Sequence, residues 1–112
     1  MRIWYRVSDL DAARAFSRDV LGFTETFVDE DEGWVFLDRG ETEIAIGRAE
    51  DVGGDGEGQV ATIDVEDVRA ERERLAAAGA EVGTVLELHG AMRLLDVFDR
   101  DGNRIQLTEE VS

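Results

Sequence analysis

The chain contains no cysteine, no proline and no lysine, and its only histidine is His89. Without cysteine there is no disulfide framework, no thiolate metal site and no thiol nucleophile. No apolar run approaches the roughly 18 residues that a membrane-spanning helix needs. Arg2, Arg6 and Asp9 break up the start, so no secretory leader is expected there. Twelve basic residues face 27 acidic ones, a net charge of -15. A phosphate backbone would be repelled by such a surface, which argues against DNA or RNA as a partner. These absences predict a cytoplasmic protein with neither a membrane nor a nucleic acid as its partner.

What remains is the material of one domain. The chain has 112 residues, 43% of them hydrophobic, enough for a single core. Its basic residues are all arginine, a composition that suits a salt-rich cytoplasm, where a Debye length of roughly 3 Å near 1 M salt screens self-repulsion. An ordinary acidic protein from an arginine-rich genome has the same composition.

Along the chain, one pattern is written twice. Residues 1–7 alternate as a strand, with Ile3, Tyr5 and Val7 on one face and Arg2, Trp4 and Arg6 on the other. Ser8 or Asp9 caps a helix whose stripe is Leu10, Ala13, Phe16, Val20 and Leu21, closed by Gly22. Strands follow over 23–28, 34–38 and 42–48. Residues 50–58 hold four glycines and four acids and read as a connector. Then the order returns: a strand over 59–65, a helix capped by Asp67 with Val68, Leu75 and Ala78 inward, Gly79, and strands over 81–88, 91–98 and 104–108. The spacing predicts β-α-β-β-β twice, with the first module over 1–49 and the second over 59–112. Neither copy can cover its own sheet. The expected fold is α+β: one curved, partly closed mixed sheet around a cavity, with the helices outside.

Three segments carry a family resemblance. Val7-Ser8-Asp9-Leu10-Asp11-Ala12-Ala13-Arg14-Ala15-Phe16 with Arg18-Asp19-Val20-Leu21-Gly22-Phe23 resembles the first module of the vicinal oxygen chelate superfamily. That superfamily holds glyoxalase I, extradiol dioxygenases, fosfomycin-resistance enzymes and bleomycin-resistance proteins. Val65-Glu66-Asp67-Val68 with Leu75-Ala76-Ala77-Ala78-Gly79-Ala80 resembles its second module. Asp99-Arg100-Asp101-Gly102-Asn103-Arg104-Ile105-Gln106-Leu107 resembles its closing turn and strand, with Arg100 where proline is usual.

The resemblance implies a divalent metal held by His, Gln or Glu from the first and last strand of each module. The matching positions here are Arg2, Ala45, Val60 and Gln106. Arg2 is a cation without a free lone pair, Ala45 and Val60 have no donor atom, and Gln106 alone is a weak ligand. Shifting the register by one or two residues does not assemble three good ligands, and an open catalytic site needs about three. No metal and no other cofactor are therefore expected.

The remaining candidates keep two readings each. His89 is either an acid/base group at the cavity mouth, with Glu43 a second candidate, or a surface histidine. Arg2, Trp4 and Arg6 share the face that the resemblance turns inward. Either they bind a carboxylate- or amide-bearing molecule, with Trp4 stacked on a planar group, or they fill the space with salt bridges to Asp64, Glu43 or Gln106. Thr62 and Thr108 face the same way by parity. Asp64 and Asp96 are either a working carboxylate pair or two of many acids. Trp34 and Phe36 are either core or dimer packing residues or an aromatic binding box.

Three functions follow: a metal-independent protein that binds a small organic molecule in the sheet concavity, a metal-dependent lyase, isomerase or dioxygenase of the glyoxalase type, or a structural dimer with a filled cavity. The resemblance also implies a homodimer. The charge yields a direct expectation: raising KCl from about 0.1 M to about 2 M should raise the melting temperature as self-repulsion is screened. Scanning calorimetry across that range checks it, and an unchanged or falling midpoint would contradict the salt-adapted reading.

Overall fold

The computed structural model describes residues 2–48, 60–88 and 90–111. The expected connector at 50–58 and His89 lie outside the described residues. The chain divides into two compact units, Met1–Ala61 and Thr62–Ser112, and its architecture is α+β, with two sheets and two helices among the described residues.

In the first unit, strand β1 (Ile3–Val7) leads to Asp9, whose side chain accepts from the Ala12 amide at 3.1 Å and starts helix α1 (Leu10–Ala15). The helix does not stop at Ala15. It widens into a π-helical turn over Phe16–Val20, with the Leu21 amide donating to the Phe16 carbonyl five residues back. The wider turn moves the inner stripe. Ala13, Ser17 and Leu21 are buried, while Phe16 and Val20, expected inside, are only half-buried. Gly22, at φ +78°, then reverses the chain, a conformation that costs a side-chain-bearing residue but not glycine. Strands β2 (Thr24–Asp29), β3 (Trp34–Arg39) and β4 (Thr42–Arg48) complete a sheet of order β1-β4-β3-β2, parallel between β1 and β4 and antiparallel elsewhere. The residues that alternate towards α1, namely Tyr5, Val7, Val35, Leu37, Ile44 and Ile46, are at most 5% exposed and form the core with Leu21 and Phe23.

The second unit repeats the plan. Strand β5 (Ala61–Asp64) precedes Asp67, which caps helix α2 (Val68–Ala77) by accepting from the Ala70 amide at 3.1 Å. Strands β6 (Glu81–Val82), β7 (Leu86–Leu88), β8 (Met92–Phe98) and β9 (Arg104–Glu110) follow. The sheet order is β5-β9-β8-β6, with β7 also paired to β8. Ile63, Val68, Leu75, Leu95, Val97, Ile105 and Leu107 form this core.

One expected strand, 81–88, is two strands in the structure. Val82 faces Val97, but Leu86 faces Leu94, so this edge carries one residue more than β8 opposite it. The extra residue cannot pair, and the ladder breaks between Val82 and Leu86.

Helix α1 is tied to its sheet by charge. Arg14 donates from Nε and Nη2 to the two oxygens of Glu25 at 2.7 and 2.9 Å, a bidentate pair with both side chains less than a fifth exposed. The hydrogen bonds from Arg14 hold the Glu25 carboxyl below its ordinary value of 4.5, against the opposing effect of burial. A depressed folded value means that the pair stabilises the fold above pH 4.5 and that this contribution is lost as the pH falls further. Glu25→Gln should therefore cost roughly 1–3 kcal/mol near neutral pH and less near pH ~3. Urea denaturation of both proteins at the two pH values checks this; an equal loss at both would show that the carboxylate charge is not the source.

Candidate functional site

A single helix can cover only one face of each sheet, and the expected site residues lie on the other face. In the first unit this face is a grid that the register defines. Trp4 lies beside Ala45, and Ala45 beside Phe36. Arg6 lies beside Gly47, and Gly47 beside Trp34. Glu43 pairs with Asp38 on the row that Arg2 approaches from the start of β1.

The middle strand of this face offers almost no side chain, because Ala45 and Gly47 leave its surface low. The large rings on either side therefore lean together across it. The centroid of Trp4 is 5.7 Å from that of Phe36 and 6.1 Å from that of Trp34, both edge-on, and Trp34 and Phe36 are 4.6 Å apart at a tilt of 38°. Ala45 is fully buried beneath them, while Trp4, Trp34 and Phe36 remain partly open. Trp34 and Phe36 stand with Trp4 on the face away from the helix-side core.

A fourth ring arrives by a device that alternation conceals. On β2, Glu25 faces Leu37 and points towards α1, where Arg14 holds it. Strict alternation would put Phe27 on that same side. The register slips by one residue between Glu25 and Phe27, so Phe27 faces Phe36 instead and joins the aromatic face. The Thr26 hydroxyl, at the slip, donates to the Phe36 carbonyl at 3.3 Å. Phe27 is 50% exposed and lies 5.1 Å from Trp34 and 6.2 Å from Phe36, centroid to centroid. The slip before β7 does the same in the second unit. Leu86 and Leu88, at 55% and 43% exposure, are brought opposite Leu94 and Met92.

The arginines of β1 differ from expectation. Arg6 is exposed, not buried. Arg2 is half-buried, with its guanidinium carbon 3.9 Å from the centroid of the Phe36 ring, so the planar cation extends the aromatic row. Its recorded charge partner is Asp38, at 3.4 Å, rather than Asp64, Glu43 or Gln106. The Nε atom of Arg2 is buried without a hydrogen-bond partner, an arrangement that costs about 1–3 kcal/mol.

In the second unit the uncovered face is polar at its centre. Thr108 donates to Asp64 at 2.6 Å. Gln106 donates to Asp96 at 3.2 Å, and Arg104 approaches Asp96 at 3.5 Å. Asp64 and Asp96 thus accept from different residues of β9, Thr108 and Gln106. Thr62 is exposed on the same side of β5 as Asp64.

The four positions that the resemblance assigns to a metal do not fit one. Arg2 is a cation over a ring, Ala45 is a floor without a donor atom, Val60 is aliphatic, and Gln106 alone is a weak neutral ligand. Among the described residues, no three histidine, aspartate or glutamate side chains form a group able to hold a metal ion. Among them also, no helix is long and apolar enough to cross a membrane. Phe27 and Asp38 were not legible as site residues. The slip that turns Phe27 has no counterpart in the alternation of β2, and Asp38 meets Arg2 only through the β4 strand between them.

Comparison with known proteins places this geometry in a family. No curated protein matches the chain. Among solved structures, the fold is similar to that of lactoylglutathione lyase from Agrobacterium tumefaciens, with a TM-score of 0.78 and 20% identity over 97% of this chain and 91% of that one. It is similar to an antibiotic binding protein from Streptomyces sp. CB03234, with a TM-score of 0.77 and 21% identity over 97% and 93% of the two chains. It is also similar to the bleomycin-binding protein from bleomycin-producing Streptomyces verticillus complexed with copper(II)-bleomycin, with a TM-score of 0.72 and 24% identity over 97% and 93%. Residues 2–107 match the sequence model of the Glyoxalase/Bleomycin resistance protein/Dioxygenase superfamily, and the chain belongs to that superfamily.

Proposed function

We propose that this protein binds a small organic molecule without a metal, holding it against the uncovered aromatic face of the first sheet. The observation that carries the reading is the contrast on that face. The positions where the family's enzymes keep ligand side chains hold Arg2 and Ala45, while Trp4, Trp34, Phe36 and Phe27 present partly open ring surface beside them. Rings bury a large apolar area at little entropic cost and suit a flat ligand. Two of the structural neighbours are named for binding an antibiotic or bleomycin, which favours the same class of function here.

In this reading Arg2, Trp4 and Arg6 contact the ligand from the first unit. Thr62, Asp64, Gln106 and Thr108 are the polar candidates on the second unit's own open face. The protein acts as a cytoplasmic homodimer forming a single two-module domain, and neither Glu43 nor His89 has a chemical step to perform.

Titration of tryptophan fluorescence with a panel of flat organic compounds tests the proposal, alongside elemental analysis of protein grown with added Ni²⁺, Zn²⁺, Mn²⁺ and Fe²⁺. Saturable quenching is expected without bound metal, with affinity lower by about tenfold in Trp34→Ala. Stoichiometric metal, or the absence of binding by every flat compound, would overturn it.

A further inference from the structure

The aromatic face ends differently on its two sides. At one end the chain seats a cation of its own: the Arg2 guanidinium lies 3.9 Å from the centroid of the Phe36 ring, with the Asp38 carboxylate 3.4 Å away. A planar cation rests there on a ring and beside a carboxylate, an arrangement that the negative face of the ring favours. At the other end, on β2, rings and a carboxylate stand together without a cation. Phe27 and Trp34 lie 5.1 Å apart, and Phe27 is 50% exposed. Asp29 faces Trp34 across the two strands, so its side chain leaves the sheet on the aromatic face, with the Cβ atoms about 5 Å apart. The Asp29 carboxylate accepts from the Glu32 amide at 2.9 Å, and among the described residues no arginine is paired with it. A carboxylate has about four lone-pair sites, so two further N–H groups can be accepted.

From this we infer that the ligand is a flat aromatic cation, with its ring on Phe27 and Trp34 and its charged N–H groups donating to Asp29. The inference rests on the proposed binding function and specifies the class and direction of its ligand. Neighbouring charge favours a cation. Asp29 opens a reversal that continues through Glu30, Asp31 and Glu32, and an open hollow of about 430 Å³ adjoins it, lined by Val28, Asp29, Glu30 and Asp31. The nearby arginines are engaged elsewhere. Arg14 holds Glu25 and comes no closer than 4.0 Å to Glu30, and Arg48 lies against Gly33 with Val7 as its strand neighbour, on the helix side. Arg6 shares the aromatic face but stands three strands from Asp29. That is about 14 Å at ordinary strand spacing, beyond a Debye length of about 8 Å at physiological salt. An anion on Phe27 would meet the Asp29 charge directly. A neutral ligand would strip water from the carboxylate and return weaker hydrogen bonds. A planar cation replaces that water with charge-assisted bonds. The arginines of β1 then set the direction, since they repel the charged end and leave the uncharged remainder of the ligand on their side.

Three probes with the same ring and nearly the same shape test this by titration calorimetry on the intact protein: 2-naphthamidine, a cation; 2-naphthamide, neutral; and 2-naphthoate, an anion. 2-Naphthamidine is expected to bind at least about tenfold more tightly than 2-naphthamide, and 2-naphthoate more weakly than both. Asp29→Asn keeps an oxygen that accepts from the Glu32 amide, so the melting temperature should hold. It should bring 2-naphthamidine down to the level of 2-naphthamide and leave 2-naphthamide unchanged. Glu73→Gln removes one charge from the exposed side of α2 and should weaken 2-naphthamidine less than about twofold. A smaller or reversed preference among the probes, a preference unchanged in Asp29→Asn, or an equal loss in Glu73→Gln would overturn the inference while leaving the binding function standing. The probe series on the unaltered protein decides the matter even where a variant fails to fold. Failure of all three probes to bind would overturn both.

Discussion

Among the described residues, each sheet has one helix to cover it, and a helix covers one face. That constraint divides every strand residue into two populations. Those facing the helix are mostly aliphatic or aromatic and almost fully buried, as Val35, Leu37, Ile44, Leu95 and Val97 are, with Glu25 the charged exception that Arg14 holds. Those facing away have no element of their own unit against them, and their chemistry is free to serve something else. In the first unit that second population is a low floor of Ala45 and Gly47 flanked by Trp4, Trp34 and Phe36. In the second it is a set of paired polar groups, Asp64 with Thr108 and Asp96 with Gln106. The same fold unit, repeated, thus presents ring surface once and hydrogen-bonding groups once.

The two units share a further device. Each carries a one-residue slip on the strand that pairs at the edge beyond the central pair. In β2 the slip lies between Glu25 and Phe27, and in the second unit it lies between Val82 and Leu86. Among the described residues, the three most exposed large apolar side chains, Phe27, Leu86 and Leu88, all follow such a slip. A bulge is the natural way to turn a side chain to the opposite face without changing the strand that carries it. Recurrence in both copies ties the exposed apolar residues to the architecture of the repeat rather than to chance at the surface.

Several arginines reach across elements, although Arg74 pairs with Glu71 within α2. Arg14 ties helix α1 to β2 through Glu25, and Arg93 joins Glu87 on β7 to Glu109 on β9. Glu109 in turn accepts the Val68 amide at the start of α2. Others satisfy carbonyls at chain reversals: Arg39 donates to Leu21, and Arg72 to Gly83. The planar fork of the guanidinium suits such paired and bridging contacts better than an ammonium does. Lysine's absence is consistent with that use.

Much was legible before any coordinates. The caps at Asp9 and Asp67, the reversals at Gly22 and Gly79, the span of β4 and the repeat itself depend on residues close together in the chain. Local spacing states them directly. The poverty of metal-ligating side chains at the family's positions is likewise a matter of residue identity. What tertiary structure alone decided was which face each edge side chain takes and which partner each charge meets. Phe27 turned because β3 is one residue shorter than β2 across the slip, and Arg2 found Asp38 because the register of β1, β4 and β3 brings the start of β1 level with Asp38. Both outcomes are set by strands that meet only when the sheet closes, and alternation within one strand contains no record of the strand beside it.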